Sequence, residues 1–195
     1  MTEINVFLLL TLIYLGTFIA RNVLVKIRTR QKIRSSDPLV AASMVFTGLC
    51  ILVTFFAVHS EPLYRFMVPM NFLRHPMVSY VGLFLFAGSI LMGWVFSSQL
   101  KKSWRIGVHE QQKTELIQNG IYAHIRNPYF LSYFIMFSGL FLVRPCVVMG
   151  LLVIISLIIF HGMVLKEEAH LQKSHGTDYE KYKHRTGRYL PRTGK

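Results

Sequence analysis

Apolar positions in this chain fall in long blocks rather than in amphipathic periods. Five uncharged runs have the length and character of membrane-crossing segments: Ile4 to Ala20, Leu39 to Val58, Met77 to Ser98, Tyr129 to Val143 and Cys146 to Leu165. Only Arg144 and Pro145 separate the short fourth run from the fifth, which predicts a tight helical hairpin inside the membrane. Thr2 and Glu3 precede the first run where a signal peptide would carry lysines, so it reads as a retained span. The pattern predicts an all-α fold: a single domain over residues 1–195, a polytopic transmembrane helical bundle of about five spans.

Composition agrees, with 52% apolar and 16% charged residues. A net charge of +13 suggests nucleic acid until its placement is considered. Of 22 Lys and Arg, nineteen lie in segments 21–38, 99–128 and the tail from Lys166; the alternate segments hold only Arg65, Arg74 and Arg144. With five spans those nineteen share one side. The positive-inside rule then places the amino terminus outside and the carboxyl tail in the cytoplasm. Topology and anionic lipid headgroups account for the charge, and nucleic acid is unnecessary. Cys50 and Cys146 both lie in apolar runs, which excludes a disulfide framework and a thiolate zinc cluster.

Two polar pieces of about thirty residues, 99–128 and 166–195, remain for chemistry. Neither is large enough for a domain. The chain contains no G-x-G-x-x-G and no G-x-x-x-x-G-K, so a nucleotide-like cofactor would need a site assembled from these pieces at the membrane surface. In the first, HEQQKTELIQNG predicts a short helix ending at Gly120. Asn127 and Pro128 then suit the N-cap and first residue of a membrane helix, whose amino terminus beside Arg126 makes a candidate carboxylate or phosphate site. The same residues also read as a plain cap, a topology charge and, in His124, an interfacial side chain.

In the second piece VLKEEAHLQKSHG extends the last span for two turns to Gly176, with Glu167 and Glu168 at the membrane exit. Adjacent helical residues point about 100° apart. Glu167 shares a face with Met163, His170 and Leu171 and is the expected inward residue; Glu168 lies nearer Leu165 and Gln172. The Glu167-x-x-His170 spacing is that of bundle di-iron sites, but the further carboxylates are missing, so no metal is expected. Tyr179 and Tyr182, among basic residues, suit either lipid headgroups or packing over a pocket.

The series LIQNGIY…RNPYF from Leu116 to Phe130, an apolar hairpin, EEAHL from Glu167, GTDYEKY from Gly176 and RYLP from Arg188 resembles the isoprenylcysteine carboxyl methyltransferase family in order and spacing. The resemblance covers about two fifths of the chain, residues 116 to 191. It implies S-adenosylmethionine as cofactor, in a cytoplasmic pocket made by the loop before the hairpin and the helix after it. By position, Leu116, Ile117 and Tyr122 would border the adenosine. His124, Arg126, Asn127 and Pro128 would hold the methionine end, and Glu167 its ammonium. Arg126, Glu167 and Glu168 would be the residues at the reaction, acting by binding rather than as a base. The acceptor implied is the carboxylate of a prenylated cysteine or similar lipid entering from the bilayer. Where the family has R-H-P-x-Y, this chain has Arg126, Asn127, Pro128, Tyr129 and Phe130, which puts the acceptor more in question than the cofactor. Phospholipid amine methylation, NADPH-dependent sterol reduction and a non-catalytic scaffold are the alternatives.

Overall fold

A computed structural model of the chain describes residues 2–29, 37–100 and 116–192. Among the described residues six α-helices run in the order α1 Glu3–Thr29, α2 Pro38–His59, α3 Glu61–Phe66, α4 Pro76–Gln99, α5 Pro128–Val143 and α6 Val147–Arg185. There is no strand among the described residues, and the architecture is the expected all-α bundle. Helices α1, α2, α4 and α6 are long and apolar enough to cross a membrane. The shorter α5, sixteen residues, rises about 24 Å, just under a typical hydrocarbon core.

Proline opens three of these helices. Pro38, Pro76 and Pro128 each sit in the first turn, where the missing N–H costs nothing and φ is already helical. Asp37 and His75 cap α2 and α4 by accepting from Leu39 N and Met77 N. Asn127 occupies the N-cap position of α5, but its side chain makes no cap bond and is used elsewhere. The predicted end of the last helix at Gly176 is a kink: φ 50°, ψ −121° interrupts the helix, which resumes to Arg185. Residues 109–115 of the predicted loop helix lie outside the described residues; Gly120, at φ 60°, opens a 3-10 turn, Gly120–Ala123.

The link between α2 and α4 carries structure that periodicity did not reveal. It holds α3 and a 3-10 turn at Asn71–Leu73, and it closes one end of the bundle against the α5–α6 hairpin. Pro69 and Cys146 form an antiparallel bridge, with Met70 N donating to Pro145 O at 3.0 Å and Val147 N to Val68 O at 3.0 Å. The buried Tyr64 hydroxyl donates to the same Pro145 carbonyl at 2.9 Å. Arg74 and Arg144 lie 5.3 and 5.4 Å from the Tyr64 ring.

α4 and α5 meet backbone to backbone. A Cβ on Gly82 would stand 2.6 Å from Val143 N, and one on Gly139 would stand 2.8 Å from Gly82 O. Small residues allow this approach in a medium where apolar burial gives helices no net attraction. Ser79 adds a bond to Val143 O at 2.8 Å. Between α2 and α6, Cys50 meets Ser156 and Thr54 meets Met149, and Cys50 and Cys146 are both free and buried in the core cluster. The end opposite the hairpin remains, and there the two polar pieces converge.

Candidate functional site

The approach to α5 is held in place by the tail. His124 to Asn127 run alongside Gly187 and Arg188, with Gly187 N donating to His124 O at 3.1 Å, Arg126 N to Gly187 O at 2.8 Å and Asn127 N to Arg188 O at 3.1 Å. The turn before it is fixed too. Ile121 N donates to Gln99 Oε1 at 3.2 Å, and the Tyr182 hydroxyl donates to Tyr122 O at 2.7 Å. Burial keeps the Tyr182 phenol protonated by pushing it up to about 12, so it remains a donor. Tyr179 and Tyr182 are 1% and 2% exposed and pack the tail against the rest of the chain.

Glu168 is the hub of this assembly. Its carboxylate accepts from Arg126 Nε at 3.1 Å, Asn127 Nδ2 at 2.9 Å and Arg188 Nη2 at 2.9 Å. The side chains of Arg126 and Glu168 are each 9% exposed. Burial opposes the charge on Glu168, but the Arg188 and Arg126 guanidiniums outweigh it and hold the carboxyl below its ordinary value. Arg126 also donates to Lys183 O at 3.0 Å. The backbone amides of Arg126 and Asn127 bond tail carbonyls, and the side chains of both residues are bound to Glu168.

A cavity of about 290 Å³ runs from this polar rim down between α1, α2, α5 and α6. The rim is made by Tyr122, Arg126, Asn127 and Glu167. Below it, α5 contributes Tyr129, Phe130 and Tyr133, and α6 contributes Phe160 and Met163. Tyr14 and Phe18 of α1 face Ser43, Met44 and Thr47 of α2 across the space. Met163 and Glu167, four residues apart, therefore line it together, as the shared helical face requires. Of the residues singled out in the sequence, Tyr122, Arg126, Asn127 and Glu167 come together here; Leu116, Ile117, His124, Pro128 and Glu168 do not line the cavity. No group of three metal-ligating side chains occurs among the described residues.

The aromatic wall was missed because its members lie inside apolar runs, where a ring looks like any lipid-facing residue. One signal was available: tyrosines in a membrane run, Tyr14, Tyr129 and Tyr133, each carry a hydroxyl that hydrocarbon would leave unpaired. In the structure the Tyr129 and Tyr133 hydroxyls lie 3.0 Å apart, and Tyr14 lines the same cavity.

Residues 77–178, just over half of the chain, match the family model for phospholipid methyltransferase. The chain belongs to the phospholipid methyltransferase family. It is accordingly a multi-pass membrane methyltransferase, the class that the resemblance implied, while the match names phospholipid rather than isoprenylcysteine. No curated protein matches the chain. The matched region carries α4, α5 and α6 as far as Asp178, including Arg126, Asn127, Glu167 and Glu168. The α1 and α2 wall of the cavity, and Arg188 of the tail, lie outside it.

Proposed function

We propose that this protein transfers a methyl group from S-adenosylmethionine to an acceptor borne by a membrane lipid. The observation that carries the reading is the gradient along one cavity, from a charged rim at the helix ends to an aromatic interior between apolar spans. The rim suits the zwitterionic end of the cofactor. Arg126 and Arg188 against the single Glu168 carboxylate leave net positive charge near a ligand carboxylate, and Glu167 provides the negative charge for an ammonium. Tyr122, buried at the rim with its phenol driven up by burial, offers a neutral ring face beside them. When bound, the cofactor supplies an electrophilic methyl group.

The protein's own part is then alignment and exclusion of water. Arg126 is immobilised by Glu168 and the Lys183 carbonyl, so the charges of the rim are fixed before anything binds. Neither Arg126 nor Glu167 needs to move a proton. Two lipid acceptors fit a bilayer-embedded cavity: a prenylated cysteine carboxylate, from the resemblance, and a phospholipid headgroup amine, from the family. The carboxylate would be ionised already at neutral pH and attack without a base; the amine must first lose a proton.

Titration of the purified protein with S-adenosylhomocysteine and with NADPH tests the reading. Saturable binding of the first and none of the second is expected; the reverse would indicate reductase chemistry, and binding of neither a scaffold. The charge division supports an orientation with the rim in the cytoplasm. A reporter after Lys195 should then read as cytoplasmic and one at the amino terminus as external; finding both on one side would overturn the orientation.

A further inference from the structure

The three arginines that the charge division sets apart come together at the closed end of the bundle, away from the cavity. Arg65, Arg74 and Arg144 are the only Lys or Arg outside the segments that carry the other nineteen. They belong to α3, to the link before α4 and to the turn between α5 and α6, yet they gather around one carboxylate, that of Glu61. Arg74 Nη2 donates to Glu61 Oε1 at 2.8 Å, and Arg65 Nε lies 3.6 Å from the same oxygen. The Arg74 bond, with the charges of Arg144 and Arg65, holds the Glu61 carboxyl below its ordinary value. Three guanidiniums against one carboxylate leave two positive charges in excess.

Arg144 is the least satisfied of the three. Its Nε is buried with no hydrogen-bond partner, and its guanidinium rests 5.4 Å from the Tyr64 ring, which offers only its quadrupole. It stands at the foot of α5, whose rise of about 24 Å falls short of a hydrocarbon core of about 30 Å. A charged head at that depth reaches outward to the headgroups. Beside it the link exposes two rings, Phe66 at 85% and Phe72 at 83%. The link joins two membrane-crossing helices, so these rings stand at the membrane boundary, where aromatic side chains sit among headgroups. Its backbone is fixed: Val68 is held at φ 58°, which a β-branched residue rarely adopts, with its carbonyl accepting from Val147 N at 3.0 Å.

We infer that the closed end binds the phosphate of an anionic membrane lipid in the leaflet opposite the rim, with Arg144 as principal ligand, Arg65 and Arg74 as flanking charges, and Phe66 and Phe72 against the lipid's apolar part. The site is independent of the methyl-transfer reading. A phosphate oxygen takes charge-assisted hydrogen bonds from a guanidinium and relieves the repulsion among three of them. A zwitterionic headgroup brings its own cation into a place that already has two charges in excess, so the anionic lipid is preferred. The exposed rings favour a lipid over a soluble phosphate. Arg65 and Arg74 lie outside the region matched to the family, so the site belongs in large part to this chain's own link.

The test puts a reporter beside the site. Phe72→Trp is made in the full chain, and its quenching by brominated phosphatidylglycerol and by brominated phosphatidylcholine is compared in otherwise identical nanodiscs, with the chain lacking that substitution as the blank. A relative association constant about fivefold in favour of phosphatidylglycerol is expected, the size of one guanidinium's attraction for an anionic headgroup. Arg144→Gln should bring the ratio close to one. Arg65→Glu, at a side chain 76% exposed, should lower it too, and it serves where Arg144→Gln does not fold. Lys173→Gln, on the exposed part of α6 beyond the rim, should leave it unchanged. Equal quenching by the two lipids would overturn the site. So would a preference that survives both arginine substitutions, or one that Lys173→Gln removes as well. Millimolar inorganic phosphate should not alter the ratio; if it abolishes the preference, the site takes a soluble anion and the lipid assignment falls.

Discussion

The two sides of α5 are packed by opposite means. Toward α4 it presents Ser132, Gly139 and Val143, and the backbones come so close that Gly82 and Gly139 have no room for a Cβ. Toward α6 and α1 it presents Tyr129, Phe130 and Tyr133, whose rings hold the neighbouring helices apart around a cavity of about 290 Å³. In a bilayer, where lipid competes on equal terms with apolar side chains, residue size decides between a seam and a hollow. The sealed side gives α5 a rigid back, and the hollow side uses that rigidity to hold a rim of charges in fixed positions.

The rim should show the largest effect. Glu168→Ala would leave Arg126 and Arg188 facing each other without their carboxylate, and loss of one partner from a buried ion cluster costs about 3–5 kcal/mol. A marked fall in the midpoint of thermal unfolding in detergent is expected, together with loss of cofactor binding. An unchanged midpoint would mean that the rim is not needed to keep the hollow side standing. The same cluster sets an acid limit. The folded Glu168 carboxyl lies below its ordinary value, so its contribution is complete above the unfolded pKa of about 4.3 and is lost as pH falls through the lower folded value. Stability followed from pH 7 downward should therefore hold to about pH 4 on this account and decline below it.

Glu167→Gln should act on ligand rather than fold. A weakening of S-adenosylhomocysteine binding by about 1.5–3 kcal/mol is expected, the range for hydrogen bonds to charged groups, with little change in unfolding. Equal, negligible effects of Glu167→Gln and Glu168→Gln in calorimetry would remove the pair from the cofactor site.

On the sealed side Gly82→Ala forces a methyl against Val143 N and Gly139 O, and overpacking of this kind costs about 1–3 kcal/mol. Gly88→Ala on the same helix meets nothing within 4 Å and should be tolerated. If the two behave alike in thermal unfolding, the contrast between the two sides of α5 loses its basis.

The smallest effect belongs to the closed end of the bundle. Tyr64→Phe removes one hydrogen bond, worth about 0.5–1.5 kcal/mol, and leaves Pro145 O still accepting from Met70 N. A modest drop in unfolding midpoint with unaltered cofactor binding is expected; a change in binding would couple the ends through α5.

How far the sequence could be read follows the range of each interaction. The all-α bundle, the proline that opens α5 and the hairpin turn at Arg144 and Pro145 were legible, because apolar runs and missing N–H groups depend on neighbours a few residues away. The meeting of the loop before α5 with the exit of α6 was implied only by the family resemblance. The α3 segment was not legible, since its six residues gain their place from Tyr64 bonding Pro145 across the closed end. Nor was the division of labour between the glutamates. Helical phase puts Glu167 and Glu168 about 100° apart, but which one joins the arginines depends on Arg126, 42 residues before Glu168, and Arg188, 20 residues after it. Only the tertiary structure brings those guanidiniums onto one carboxylate and leaves the other lining the cavity. It alone also decides that the rings of α5 enclose space while its glycines close it, because packing depends on what stands opposite, and local sequence does not specify that.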